Sequence, residues 1–185
     1  VDQDRRSVEI ELLVVRCQRG ERSAFEELFQ AWEPRLFFYI RRLVKTEEET
    51  WGILQEVWLQ VLRGVASLRD PRLLPVWLYK VARNTVMSHH RREYARERSI
   101  DAHEPRVAVD ERAPIELDNV DMVQYGLSRL PRGDREVLTL FFLRDLSINE
   151  VAEVLDVPAG TVKSRLHKAK KALREALERE GDSHD

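Results

Sequence analysis

The sequence predicts an all-α protein built as two small helical domains joined by a flexible acidic linker. Three observations predict it. Apolar residues recur at helical spacing in both halves of the chain, sustained strand-like alternation is absent, and Gly and Pro number only seven each. Helix-start signals of the Ser/Thr-x-x-Glu kind punctuate both halves. Between the halves the periodicity disappears. Ser99 to Asp121 holds seven acidic residues (Asp101, Glu104, Asp110, Glu111, Glu116, Asp118 and Asp121) against two arginines, and Pro105 and Pro114 interrupt it. The expected divisions are a first domain over 8–98, a linker over 99–115 and a second domain over 116–180.

In the first domain, Ser23-Ala-Phe-Glu26 reads as a capping box opening a helix through Trp32, and Pro34 can start the next, running to about Val44. Thr46 and Glu49 form a second box. The helix behind it shows Ile53, Leu54, Val57, Trp58, Val61 and Leu62 on one face before Gly64 ends it. After the loop Val65 to Pro71, a long helix runs to roughly Arg98, with Trp77, Leu78, Val81, Ala82, Thr85 and Val86 packing inward.

In the second domain, helices are expected at about 116–130, 134–143 and 148–155, with Asp134 as an N-cap after Pro131-Arg-Gly. Ser147 and Glu150 make a third capping box. Val151, Ala152, Val154 and Leu155 then form an apolar face. Asp156-Val157-Pro158 breaks this helix, and Asp tolerates the left-handed region that Gly usually fills in such a turn. The next helix repeats apolar residues at Val162, Leu166, Ala169 and Leu173. Its other faces present Thr161, Lys163, Ser164, Arg165, Lys168 and Lys171. That is the layout of a helix-turn-helix whose second helix enters a DNA major groove. Taken alone, a basic amphipathic helix is also what a solvated surface looks like.

Composition bounds the rest. The 185 residues are 43% hydrophobic and 35% charged, with 31 Lys+Arg against 33 Asp+Glu, so the net charge is −2. A dedicated nucleic-acid coat would be basic overall, whereas here the charge is sorted along the chain. Cys17 is the only cysteine, which excludes an intramolecular disulfide and a cysteine-rich zinc site, and its reading is a small buried hydrophobe. No apolar run approaches a membrane span and no signal-peptide pattern opens the chain; a soluble cytoplasmic protein is the expectation. No cofactor or metal site is expected: His89 and His90 are adjacent, point about 100° apart on a helix, and read as surface residues. Carboxylate runs such as Glu47-Glu-Glu49 lack a convergent Cys, His or Asp set, so the chain reads as no enzyme.

The long helix of the first domain carries a second constellation. Trp77-Leu-Tyr-Lys-Val-Ala-Arg-Asn84 leads into Ser88-His-His-Arg-Arg92, an aromatic-bearing segment before a basic one. Such a set grips unstacked bases and phosphates, although Trp77 itself lies on the apolar stripe and reads as core. Asn84 abuts that stripe and needs a partner for its amide.

With these residues in hand, the chain resembles the sigma factors of bacterial RNA polymerase, in the extracytoplasmic-function (group 4) branch of the sigma-70 family. Trp77 to Asn84 resembles the signature of their region 2. Leu130-Pro, Arg135-Glu-Val-Leu138, Leu146 to Ala152 and Gly160-Thr-Val-Lys-Ser-Arg-Leu166 resemble region 4. The resemblance spans about 10–98 and 116–178.

It implies a two-domain promoter-recognition subunit. Asn84 would contact a base flipped from the −10 element, with Leu68 to Leu74 shaping its pocket. Arg83, Ser88, Arg91 and Arg92 would lie along the melted strand. Thr161, Lys163, Ser164, Arg165, Lys168 and Lys171 would read the −35 duplex. Leu54, Gln55 and Glu56 would dock the β′ clamp helices of core RNA polymerase, and region 4 the β flap. An anti-sigma factor is a further implied partner. Flipping a base costs a few kcal/mol of unstacking, and with no ATP motif present, melting must draw on binding energy.

One departure stands beside the docking helix. The family usually carries an acidic residue and Asp shortly before the Gln-Glu pair, where this chain has Trp51-Gly52. A helical Gly costs roughly 1 kcal/mol relative to Ala. The acidic linker would be repelled by DNA and drawn to a basic protein channel; a solvated spacer has the same composition. The rival readings are a stand-alone helix-turn-helix regulator, which would bind DNA without polymerase, and a helical protein-interaction adaptor.

Overall fold

A computed structural model describes residues 2–100, 125–144 and 146–181, with side chains over 8–96, 125–144 and 146–178. The linker expected over 99–115 and the helix start expected at 116 lie almost wholly outside the described residues. Every regular element among the described residues is helical. The chain divides into two compact units, Val1–Ile100 and Asp101–Asp185.

The first unit holds four helices: α1 (Asp2–Gln18), α2 (Arg22–Arg41), α3 (Glu47–Gly64) and α4 (Leu74–Ile100). Short 3-10 turns at Val65–Ser67 and Pro71–Leu73 join α3 to α4 and rest on α1. The core is aromatic and aliphatic, with Leu28, Leu36, Tyr39, Ile40, Ile53, Leu78 and Tyr79 all fully buried. Tyr79 of α4 receives Trp32 and Tyr39 of α2 edge-on, at centroid distances of 6.0 and 5.3 Å, the arrangement that ring quadrupoles favour. Cys17 is buried among these helices, and burial pushes its thiol above the ordinary range.

Two expectations for α2 are corrected. The helix begins at Arg22 after Glu21, with no side-chain cap, because Ser23 is used elsewhere. Arg16 donates to Glu21 at 2.9 Å, to Glu27 at 2.8 Å and to the Ser23 hydroxyl at 3.2 Å, which fastens α1 to the start of α2. Gly20 makes the intervening turn at φ 78°, a conformation that favours glycine. Pro34 starts nothing: it sits inside one continuous helix. A proline leaves the carbonyl four residues back without its partner, here that of Gln30. Gln30 and Pro34 are both exposed, so water can take that carbonyl, while Leu28, Trp32, Leu36 and Ile40 bury an unbroken stripe on the other side.

The capping box at α3 forms as the sequence predicts. The Glu49 amide donates to Thr46 Oγ1 at 3.1 Å, and the Thr46 amide donates back to Glu49 Oε2 at 3.2 Å. Leu62 differs from expectation: it is 51% exposed, because the inward face of α3 is Thr50, Ile53, Leu54, Val57 and Val61. Trp77 is half-buried, its indole lying over Gly64 so closely that a Cβ there would come within 2.8 Å of the ring.

In the second unit, a helical turn over 125–128 precedes α5 (Arg132–Leu138), which runs into a π-helical turn at Thr139–Leu143. Then come α6 (Ile148–Leu155) and α7 (Ala159–Gly181). The buried guanidinium of Arg135 donates to the carbonyls of Leu127 at 2.9 Å, Ser128 at 3.1 Å and Leu130 at 3.0 Å. Those acceptors lie where a helix ends and its carbonyls lose their intrahelical partners. Asp134 is not the N-cap. Pro131 takes that position, and Asp134 falls in the first turn of α5, buried, with Lys168 Nζ 3.9 Å from its carboxylate. An acidic residue is still favoured there by the helix dipole.

The two glycines of α3 make opposite predictions. Gly52 faces open space, so Gly52→Ala should stabilise the protein by about 1 kcal/mol through helix propensity. Gly64→Ala should destabilise it by about 1–3 kcal/mol, because the new methyl displaces Trp77. Thermal unfolding of the two variants checks both signs.

Candidate nucleic-acid and polymerase interfaces

The helix-turn-helix of the second unit is built by its caps. Ser147 accepts from the Glu150 amide at 3.3 Å while Glu150 accepts from the Ser147 amide at 2.7 Å, which starts α6. Asp156 ends it in the left-handed conformation, φ 55° and ψ 50°, and the Val157 amide closes on the Ala152 carbonyl at 3.1 Å. After Pro158 the chain turns into α7. Val162, Leu166 and Ala169 are buried there, which rotates the polar residues outward. Lys163, Ser164, Lys168 and Lys171 are exposed, and Thr161 and Arg165 half-buried. Two of the lysines are near acids of their own unit: Lys168 lies 3.9 Å from Asp134 and Lys171 3.9 Å from Glu175.

In the first unit, α4 buries Leu78, Tyr79, Ala82, Thr85 and Val86 and turns Asn84 outward. The Asn84 amide is therefore open to solvent. At about 100° per residue, Asn84, Ser88 and Arg91 share one face at i, i+4 and i+7. Arg91 donates to the Ser88 hydroxyl at 2.9 Å. Arg83 is half-buried on a different face. The loop before α4 is stapled: Arg72 donates to both oxygens of Asp70 at 2.9 Å, and this hydrogen bonding holds the Asp70 carboxyl below its usual range. Gln18 of α1 donates to the Leu68 carbonyl at 2.9 Å.

The set Leu54, Gln55 and Glu56 divides. Leu54 is buried in the core, Gln55 is exposed, and Glu56 pairs with Arg92 of α4 at 2.9 Å. A residue expected at the polymerase and one expected at DNA thus hold each other across α3 and α4. Sequence reasoning missed a second apolar face on α3. Trp51, Leu59 and Leu62, 44%, 52% and 51% exposed, flank Gln55 on the side away from the core. Trp58 lies between them, half-buried against Phe29 at 4.8 Å, and Trp51 stacks on Phe37 at 4.5 Å. The signal was readable: positions 51, 55, 58 and 62 repeat at helical spacing on the face about 100° round from 50, 54, 57 and 61.

Comparison with known proteins follows the same two units. The family models for sigma-70 region 2 and sigma-70 region 4 match residues 28–96 and 121–173. The chain belongs to the sigma-70 family of RNA polymerase sigma factors. Its relatives lie in the extracytoplasmic-function branch. The sigma factor SigW of Bacillus subtilis is 26% identical over 89% of this chain and 94% of its own length. The sigma-E factor of Escherichia coli is 27% identical over 88% and 91%. Two solved structures share the fold. CnrH, bound to the cytosolic domain of CnrY, has a TM-score of 0.66 at 20% identity, covering 91% of this chain and 97% of that one. RpoE of Bartonella quintana, bound to the anti-sigma factor NepR, has a TM-score of 0.70 at 20% identity, covering 83% and 96%. No described helix is long and apolar enough to cross a membrane.

The Glu56–Arg92 pair is exposed, with side chains 45% and 56% accessible, so water screens it. A double-mutant cycle with Glu56→Ala and Arg92→Ala should give a coupling of about 0.2–1 kcal/mol in unfolding experiments. Both side chains are then cheaply released to other partners.

Proposed function

We propose that this sigma factor docks on core RNA polymerase through the outer face of α3 and selects promoters with α4 and α7. The observation that carries the reading is the back-to-back design of α4, whose core stripe aims Asn84, Ser88 and Arg91 at solvent in one line. An exposed amide followed by a hydroxyl and a guanidinium suits a flipped base followed by backbone phosphates. In the second unit, α7 offers Lys163, Ser164 and Arg165 at its N-terminal end for base edges in a −35 duplex, with Thr161, Lys168 and Lys171 beside them.

For the polymerase contact, the exposed stripe of Trp51, Leu59 and Leu62 around Gln55 supplies apolar area, and Glu56 supplies charge. Trp51 takes the place of the acidic residue usual in the family, so the contact here is more apolar. Leu54 contributes by holding α3 in the core rather than by touching the partner. An anti-sigma factor is the natural regulator on this reading, since RpoE of Bartonella quintana, which shares the fold, is bound to the anti-sigma factor NepR. Confinement to the cytoplasm follows from the same role.

The test is selective transcription in vitro from promoter fragments with purified core polymerase. Asn84→Ala should lower promoter-dependent initiation by roughly tenfold or more, the scale of one good base contact, and leave Tm almost unchanged because the residue is exposed. Specific duplex binding by the protein without core, and no dependence of transcription on its addition, would instead mark a free-standing regulator. Leu59→Glu and Leu62→Glu should weaken core binding by at least about tenfold in a fluorescence titration, with stability changed by less than about 1 kcal/mol. Undiminished binding by both variants places the docking surface elsewhere.

A further inference from the structure

His89 is the residue that the functional reading leaves unexplained. Its Nε2 is buried and has no hydrogen-bond partner. The nearest acidic oxygen, Oε1 of Glu93, is 3.7 Å away, too far for a hydrogen bond. Glu93 stands one turn on along α4, at i+4. Across from both, the first turn of α3 brings Glu49. One ligand atom from each of the three side chains lies within 4.8 Å of the others, and all three residues are half-buried.

Glu49 and the neighbouring His90 are already held in place by other contacts. Glu49 Oε2 accepts from the amides of Lys45 at 2.9 Å and Thr46 at 3.2 Å, so that carboxylate is anchored while Oε1 can turn to a ligand. His90 fixes the rotation of α4 at this level. Its Nε2 lies 3.0 Å from the Leu43 carbonyl, which can only accept, so this nitrogen carries the proton. The adjacent imidazoles share Glu93, whose Oε2 lies 3.6 Å from His90 Nδ1, but His90 also ties α4 to the segment after α2, whereas His89 Nε2 is left without a partner. In a tetrahedral shell with bonds of about 2.0–2.2 Å, ligand atoms stand about 3.3–3.6 Å apart, so the three side chains close by up to about 1.5 Å around one small cation.

We propose that Glu49, His89 and Glu93 form a binding site for one divalent transition-metal cation. One imidazole nitrogen and two carboxylate oxygens suit a borderline ion, with Zn2+ the best match and water completing its coordination. Two negative charges and a neutral imidazole balance the ion's charge. The bound ion joins the first turn of α3 to α4 five residues beyond Asn84. It thereby stiffens the support of both surfaces proposed above, although the site itself rests on neither proposal.

The test uses the full chain, stripped with chelator and titrated with Zn2+ by calorimetry, alongside thermal unfolding. The expected result is one site whose occupancy raises Tm by on the order of 10 °C at a hundredfold excess over Kd. His89→Ala and Glu93→Gln should each weaken the affinity by roughly tenfold or more. Glu49→Gln preserves an acceptor for the Thr46 amide, so α3 keeps its cap while the ligand charge is lost, and it should weaken binding likewise. Circular dichroism identifies any variant that fails to fold, and the remaining two then decide. Absence of Zn2+ binding overturns the proposal. So does binding with unchanged stoichiometry and Kd in the folded variants, which would assign the ion to other histidines such as His167.

Discussion

The first unit depends on the seam between α3 and α4. Val57 and Val61 on one helix and Leu78, Ala82 and Val86 on the other are completely buried, or within 1% of it, and the two helices pack directly together. Small residues permit the close approach: Gly64 lies under the Trp77 ring, and Ala82 leaves no bulk at the middle. Polar groups in the seam are paired. Gln60 donates to the Thr85 hydroxyl at 2.9 Å, and that hydroxyl donates to the Val81 carbonyl at 2.9 Å. A burial of this kind sets the rotation of both helices, and rotation decides which side chains face water. Asn84 and Gln55 are outward because Thr85 and Leu54 are inward.

The second unit has a different organising group. Among its described residues, Arg135 fixes a helix end with a single side chain bonded to three carbonyls. A buried guanidinium is costly unless its donors are satisfied, and these carbonyls would otherwise be unpaired. Gly126 brings the preceding helical turn against α7: a Cβ there would come within 2.7 Å of Leu173 and 2.9 Å of Leu177. Together these contacts hold the long basic helix from behind.

Local chemistry was the most legible part of the sequence. Thr46 with Glu49, Ser147 with Glu150, and Asp156 in the left-handed turn are decided within four residues, and the structure has all three. Failures occurred where a distant group intervened. Ser23 had the right spacing to cap a helix, but Arg16, seven residues earlier, claims its hydroxyl. Pro34 had the right chemistry to begin a helix, but the stripe from Leu28 to Ile40 outweighs one missing hydrogen bond. Among the site residues, the outward positions of α7 followed from periodicity, whereas Asn84, read as abutting the apolar stripe, turns out to be exposed. Leu54 did not, because a docking motif read as a string hides that adjacent helical residues face different ways. The cluster of Glu49, His89 and Glu93 was illegible for a plainer reason: Glu49 lies forty residues before His89 and meets the pair on α4 only through the fold.

The length of α4 has one more consequence. It is a continuous helix of 27 residues, and Arg92 lies eight residues beyond Asn84. At a rise of 1.5 Å per residue, that interval is about 12 Å along the axis. Stacked nucleotides advance about 3.4 Å each along a strand, so the same interval spans three to four of them. On the proposed reading the helix would act as a ruler. A strand laid along it would be measured at a spacing that no side-chain movement can alter, so the distance between an unpaired base and the next phosphate anchor would be a property of the backbone rather than of any one contact.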